Sequence, residues 1–153
     1  MKMTSQEIKS KLKYQYKIRE EKEMAKLTEA MKEVLAGAQA WVATTGADGK
    51  PNIAIKGSVT IVNDESLAYF EMVGGRTWVN VQKNPWVALA VAKPEKMKGF
   101  RFEGKAEIIT TGSLYEDAKK LGEMMKLPAP PKAAIKIKIE EVYDLGKGGQ
   151  KVA

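Results

Sequence analysis

From Ala40 onward the chain alternates apolar and polar residues with a period of two, in short runs separated by turn residues. The run "NIAIKGSVTIV" is the clearest case. Ile53, Ile55, Val59 and Ile61 fall on one face, and Ala54, Lys56, Ser58 and Thr60 on the other. "AWVATTG", "LAYFEMV", "WVALAVA", "GFRFEGKAEIITT" and "AAIKIKIEEVYDL" read as five further strands. The Asp48-Gly49 step predicts a hairpin between the first two, and Asn63-Asp64-Glu65 a turn before the third. Six short strands joined mainly by tight turns, with a helix in front and one interrupting, suggest a small antiparallel barrel. The polar face of a half-buried strand ordinarily meets water, so Lys56 and Ser58 taken alone are expected to be exposed.

Helices surround these strands. Thr4 and Glu7 have capping-box spacing, and Ile8, Leu12, Gln15 and Tyr16 begin a stripe that Met24, Leu27, Met31, Val34 and Leu35 continue. The charged stretch from Lys17 to Glu23, with a fresh cap at Thr28, predicts two helices or one bent helix ending near Gly37. The stripe reads as a packing surface. "RTWVNVQK" is a short helix stopped by Asn84-Pro85, and Ser113 with Glu116 opens another that runs to about Lys126. "GKGGQKVA" reads as a mobile polar tail.

The chain of 153 residues contains neither cysteine nor histidine. That removes disulfides, thiolate nucleophiles, imidazole relays and His- or Cys-ligated metals. No carboxylate set has metal spacing, so no metal site is expected. No run is long and apolar enough for a membrane span and no signal-peptide core opens the chain, so a cytoplasmic protein is expected. The formal charge of +7 suits an anionic partner.

Two features point to a site. "VGGRT" opens a short helix: glycines let an anion approach the backbone, the first helical turn offers free N–H groups, Arg76 adds a guanidinium and Thr77 a hydroxyl. The bland alternative, a tight turn with an exposed Arg, is equally compatible with the spacing. The polar strand face of Lys56 and Ser58 is the second feature. A barrel can bring it beside that turn, so that Lys56, Ser58, Arg76 and Thr77 line one phosphate-sized site. Trp41, Trp78 and Trp86 are candidates for stacking on a planar ligand, with Trp41 and Trp86 expected in the core. No residue qualifies as a proton donor, and none is assigned a catalytic role.

The segments "WVATTGADGKPNIAI", "AYFEMVGGRTWVNVQKNPWVALAV" and "GFRFEGKAEI", in this order, resemble the FMN-binding split-barrel family that includes pyridoxamine 5′-phosphate oxidase. The resemblance covers roughly residues 28–145, leaving 1–27 as a charged helical extension and 146–153 as a tail. Its most specific part is Arg76-Thr77 followed by Asn84-Pro85. It implies a mainly β fold, a six-stranded antiparallel split barrel with N-terminal helices and one or two further helices. It also implies a homodimer with FMN at the subunit interface. Carried over by position, Arg76 and Thr77 would hold the FMN phosphate. Ala54, Ile55, Lys56 and Ser58 would contact ribityl, phosphate or ring edge, and Met72, Val73 and Gly75 would supply backbone contacts.

The expected function is therefore an FMN-binding flavoprotein, an oxidoreductase or electron-transfer protein acting on a small-molecule redox substrate. The oxidase's C-terminal signature of Trp, Arg and His has no counterpart here, which argues against vitamin B6 oxidation. Three alternatives stay open: a reductase using a deazaflavin coenzyme, a non-enzymatic flavin carrier, and a basic barrel binding single-stranded nucleic acid. The last is disfavoured because the aromatics do not cluster on one strand face. The helix before Thr28 lies outside the family pattern, with dimer reinforcement and a pocket lid as its candidate roles.

Overall fold

The computed structural model describes residues 2–20 and 24–153, and the side chains of residues 15–20 are not described. The stripe positions Gln15 and Tyr16 and the charged run 17–23 thus lie outside the described side chains. Two helices come first, α1 (Ser5–Glu20) and α2 (Glu29–Leu35). Both begin at the caps read from the sequence. Thr4 N–H donates to Glu7 Oε2 at 2.8 Å, and Thr28 Oγ1 accepts from Met31 N–H at 3.3 Å. The packing expectation holds for only one of them. In α2, Met31, Val34 and Leu35 are buried in the core, whereas Ile8 and Leu12 of α1 are exposed. The new start at Thr28 separates the two, so α2 reaches the sheet while the described side chains of α1 face solvent.

The body is one antiparallel sheet of β1 (Ala40–Thr45), β2 (Pro51–Lys56), β3 (Thr60–Asn63), β4 (Ser66–Glu71), β5 (Trp86–Lys93), β6 (Lys98–Ile109), β7 (Ala133–Asp144) and β8 (Gln150–Lys151). Helix α3 (Arg76–Lys83) links β4 to β5, and α4 (Ser113–Met124) links β6 to β7. The strand order is β2-β1-β5-β6-β7-β4-β3, with β8 on β7. The fold is mainly β as expected, but eight strands replace the expected six among the described residues. The long run after Pro51 breaks at Gly57–Val59 into β2 and β3, which sit at opposite ends of the sheet. The tail is also not a free end. Gln150 and Lys151 pair with Asp144 and Tyr143, and Val152 N–H bonds the Val142 carbonyl at 2.9 Å.

The sheet curls until its ends face each other. Its concave face holds Val42, Leu67, Tyr69, Leu89, Phe102, Ile135 and Ile137, all fully buried. Helix α2 plugs one side of this core, and α4 covers the back of β4 and β7 through Ala118, Phe70 and Ala134. That double cover explains why every residue of β4 is buried. Helix α4 starts with Gly112 as its cap and no side-chain cap bond, so the Ser113–Glu116 capping box does not form there.

Register decides which face of β2 looks inward. Ala40 pairs with Lys56 and Val42 with Ala54, and paired residues share a face. Because Ala40 and Val42 are fully buried, Ala54 and Lys56 turn inward and Ile53 and Ile55 outward. This reverses the expectation that the polar face meets water. It also carries Trp41 to the outside, where it is 42% exposed, and Trp86 at 49% joins it, so neither is a core residue.

Gly104 sits at the bulge where β6 shifts register against β7, and a Cβ there would collide with the Lys138 carbonyl. Gly104→Ala is therefore expected to cost about 2–3 kcal/mol of stability, read by urea denaturation. An unchanged midpoint would show that the bulge can relax.

Candidate functional site

The reversed face of β2 builds the site. Lys56 reaches across the curl to Glu71 at the end of β4, its Nζ donating to Oε1 at 3.0 Å and Oε2 at 3.1 Å. The Lys56 side chain is 13% exposed and that of Glu71 only 2%. Two residues on, Ser58 Oγ accepts from Phe70 N–H at 3.0 Å. Among the described residues no backbone ladder joins β2 to β4 or β3, so these side chains close the seam beside the Gly57–Val59 link. The Tyr69 ring lies 5.2 Å from Lys56 Nζ and steadies the ammonium by cation–π attraction. Among the described residues the buried Tyr69 hydroxyl has no hydrogen-bond partner. Burial, reinforced by the Glu71 carboxylate, pushes its phenol well above the usual tyrosine range.

A cavity of about 410 Å³ opens at this seam. Ile55, Lys56, Gly57 and Ser58 form one wall, the stretch from Phe70 to Gly74 a second, and Leu121 and Met125 a third. Five of the residues singled out from the sequence, Ile55, Lys56, Ser58, Met72 and Val73, thus meet around one space. Ala54 faces inward beside them but does not line it. A larger hollow of about 560 Å³ lies along α1 and the residues just before it, Lys2 and Met3, where one exposed segment supplies no convergent groups.

Beyond Gly74 the wall runs into the first turn of α3. Gly75 caps this helix at φ +123° with no side-chain cap bond, and a Cβ on it would meet open space. The first-turn N–H groups have no partner within the helix, so the turn presents donors to anything entering that space. Arg76 is exposed beside it, and the Lys132 side chain lies 3.6 Å from where a Gly74 Cβ would stand. Thr77 behaves differently from its neighbour. It is buried, and its Oγ1 accepts from Asn52 Nδ2 at 2.9 Å, retaining its O–H for a second partner. Asn80 Nδ2 donates to Thr44 Oγ1 at 3.0 Å, so Asn52, Thr44 and Asn80 pin α3 onto β1 and β2.

Glu71, Lys132, Leu121 of α4 and Met125 at its C-terminal cap were not singled out by sequence reasoning. Glu71 alone left a signal there, a lone carboxylate ending an otherwise apolar strand. Nothing local marks the others, because a crossover more than forty residues away brings them to the pocket.

Residues 27–146 match the pyridoxamine 5′-phosphate oxidase family. The chain belongs to that family. An uncharacterized protein of Methanocaldococcus jannaschii is 31% identical over 127 residues, 82% of this chain and 85% of its own. Among solved structures, Group A Streptococcus HupZ is 35% identical with a TM-score of 0.73, covering 83% of this chain and 99% of that one. An FMN-binding protein from Syntrophomonas wolfei shares the fold at 17% identity and a TM-score of 0.62, covering 90% and 96%.

The seam pair makes a direct prediction. Lys56→Met leaves the Glu71 carboxylate buried without its cation and is expected to cost about 3–5 kcal/mol. Replacing both, as Lys56→Met with Glu71→Leu, is expected to recover most of that loss in denaturant titrations. A double variant no more stable than the single one would mean that the pair does not close the seam.

Proposed function

We propose that this protein binds FMN in the seam pocket and acts as an oxidoreductase or electron-transfer protein. The observation that carries this reading is the continuity of the pocket with the Gly74–Gly75–Arg76 turn. The lining of this half-apolar cavity ends at Gly74. Gly75, Arg76 and Thr77 follow it in the chain outside the cavity, so a ligand with a flat ring in the pocket and a phosphate reaching past Gly74 would meet their N–H donors and cations. Arg76, the N–H groups after Gly75 and Lys132 would hold the phosphate. Lys56, Ser58, Met72 and Val73 would contact the remainder, and Ile55, Leu121 and Met125 would shield it from water. Thr77 has its oxygen tied to Asn52 and would contribute through its O–H and its backbone. Bound FMN supplies the redox chemistry that the side chains of this chain lack.

The same reading includes a homodimer. The outward face of β2, β1 and β5 presents Ile53, Ile55, Trp41, Ala43, Ala88 and Trp86 in adjacent register. An apolar face of this kind on a soluble body marks an interaction surface. Ile55 belongs both to this face and to the pocket wall, so a partner docked here would abut the bound ligand.

The purified protein is expected to be yellow, with FMN identified by mass on denaturation. A colourless preparation that fails to take up added FMN would sink the proposal, and release of a deazaflavin would replace the cofactor. Arg76→Ala is expected to weaken FMN about 10-fold or more while leaving riboflavin, which has no phosphate, unchanged in fluorescence titrations. Equal losses for both ligands would place the phosphate elsewhere. By sedimentation, the native chain is expected as a dimer, and the combined Trp41→Glu and Ile55→Glu variant as a monomer. A native monomer would refute the interface.

A further inference from the structure

The charged corner of the pocket has an unusual balance. Lys56 carries three N–H donors, of which two go to the two Glu71 oxygens at 3.0 and 3.1 Å. One donor remains on the ammonium, and each carboxylate oxygen retains acceptor capacity. The corner therefore offers a donor beside acceptors at no net charge. Around it the walls are mostly apolar, from Ile55, Phe70, Met72, Val73, Leu121 and Met125. The exposed cations near the pocket, Arg76 and Lys132, stand at the Gly74 end rather than at this corner.

An anion entering this corner would find the Lys56 charge already neutralised. It would also lie against a second carboxylate in a low-dielectric site, where like charges are costly. A neutral planar group with an N–H beside a C=O meets the corner on both sides: its N–H donates to Glu71 and its carbonyl accepts from Lys56. Its faces would rest on the apolar walls. The lysine cannot swing away easily, because Glu71 holds it in front and Tyr69 lies 5.2 Å behind it.

We propose that Glu71 is a specificity-determining residue, which sets this corner to accept an uncharged amide, lactam or ureide edge of a planar ring and to reject a carboxylate. The inference goes beyond the proposed flavin role and holds for the ligand-free protein whether or not FMN is the occupant.

The test uses two probes of the same shape, benzamide and benzoate, titrated into ligand-free protein and followed by the backbone amide NMR signals of Lys56, Ser58, Glu71 and Met72. In the native chain benzamide is expected to bind at least tenfold more tightly than benzoate. In Glu71→Gln, which frees the Lys56 charge, the order is expected to invert. In the combined Lys56→Gln and Glu71→Gln variant, neutral by construction, benzamide is expected to bind and benzoate not. This double variant carries the test if Glu71→Gln alone fails to fold. The proposal is overturned if the native chain binds benzoate as well as benzamide or shows no shift with either. It is equally overturned if Glu71→Gln folds with the order unchanged, or if the double variant takes benzoate. FMN uptake is measured separately. A protein that discriminates the probes but ignores FMN keeps this inference and loses the flavin reading, and the reverse result does the opposite.

Discussion

A buried ion pair closes the seam where the two ends of the sheet meet, beside the short link that joins them. Backbone hydrogen bonding runs without interruption from β2 through β1, β5, β6, β7 and β4 to β3, and then stops. The chain itself crosses from β2 to β3 through Gly57–Val59. Beside that link the contact of Lys56 with Glu71 ties β2 to β4, with Ser58 of the link accepting from Phe70 N–H. A ladder would have filled the seam with main chain. Side chains close it while leaving room for a cavity, and they place a cation and a carboxylate at its wall. Fold and site therefore share one interaction. An isolated charge at either position would be strongly penalised by burial, so each residue makes the other tolerable.

The second requirement is that α3 start where it does. Its first turn projects toward the pocket because Thr77 and Asn80 are buried against Asn52 and Thr44, fixing the helix on the sheet. Glycine at 74 and 75, both at positive φ, lets the chain turn sharply from β4 into that helix without a side chain obstructing the donors. Arg76 next to a buried Thr77 follows from helical geometry: one side chain is exposed and the next faces the sheet.

Much of this architecture was legible in the sequence because it rests on local rules. The caps at Thr4 and Thr28, the turn at Asp48-Gly49, the strand alternation and the limits of α3 each depend on residues within a few positions. The site turn was legible for the same reason, since Gly74, Gly75 and Arg76 are consecutive. The Ser113–Glu116 capping box does not form although its spacing is local. The errors over β2 and the two tryptophans concern features that local pattern leaves free. Alternation identifies the two faces of β2 but not which one is inside. That choice follows from pairing with Ala40 and Val42, whose burial outranks the apparent advantage of hiding Ile53 and Ile55. Trp41 and Trp86 were expected in the core for their size, and register turned them outward.

By itself, then, the sequence determined that this is a mainly β chain without cysteine or histidine chemistry, and that a glycine-rich turn opens the short helix at Arg76. Those properties follow from side-chain identity and from backbone preferences acting over a few residues. Only the tertiary structure decided that Lys56 faces inward, that Glu71 neutralises it, and that α4 completes the pocket wall. Each of those depends on strand register or on a crossover distant in the chain, and the free energy that selects them comes from burying the whole concave face at once.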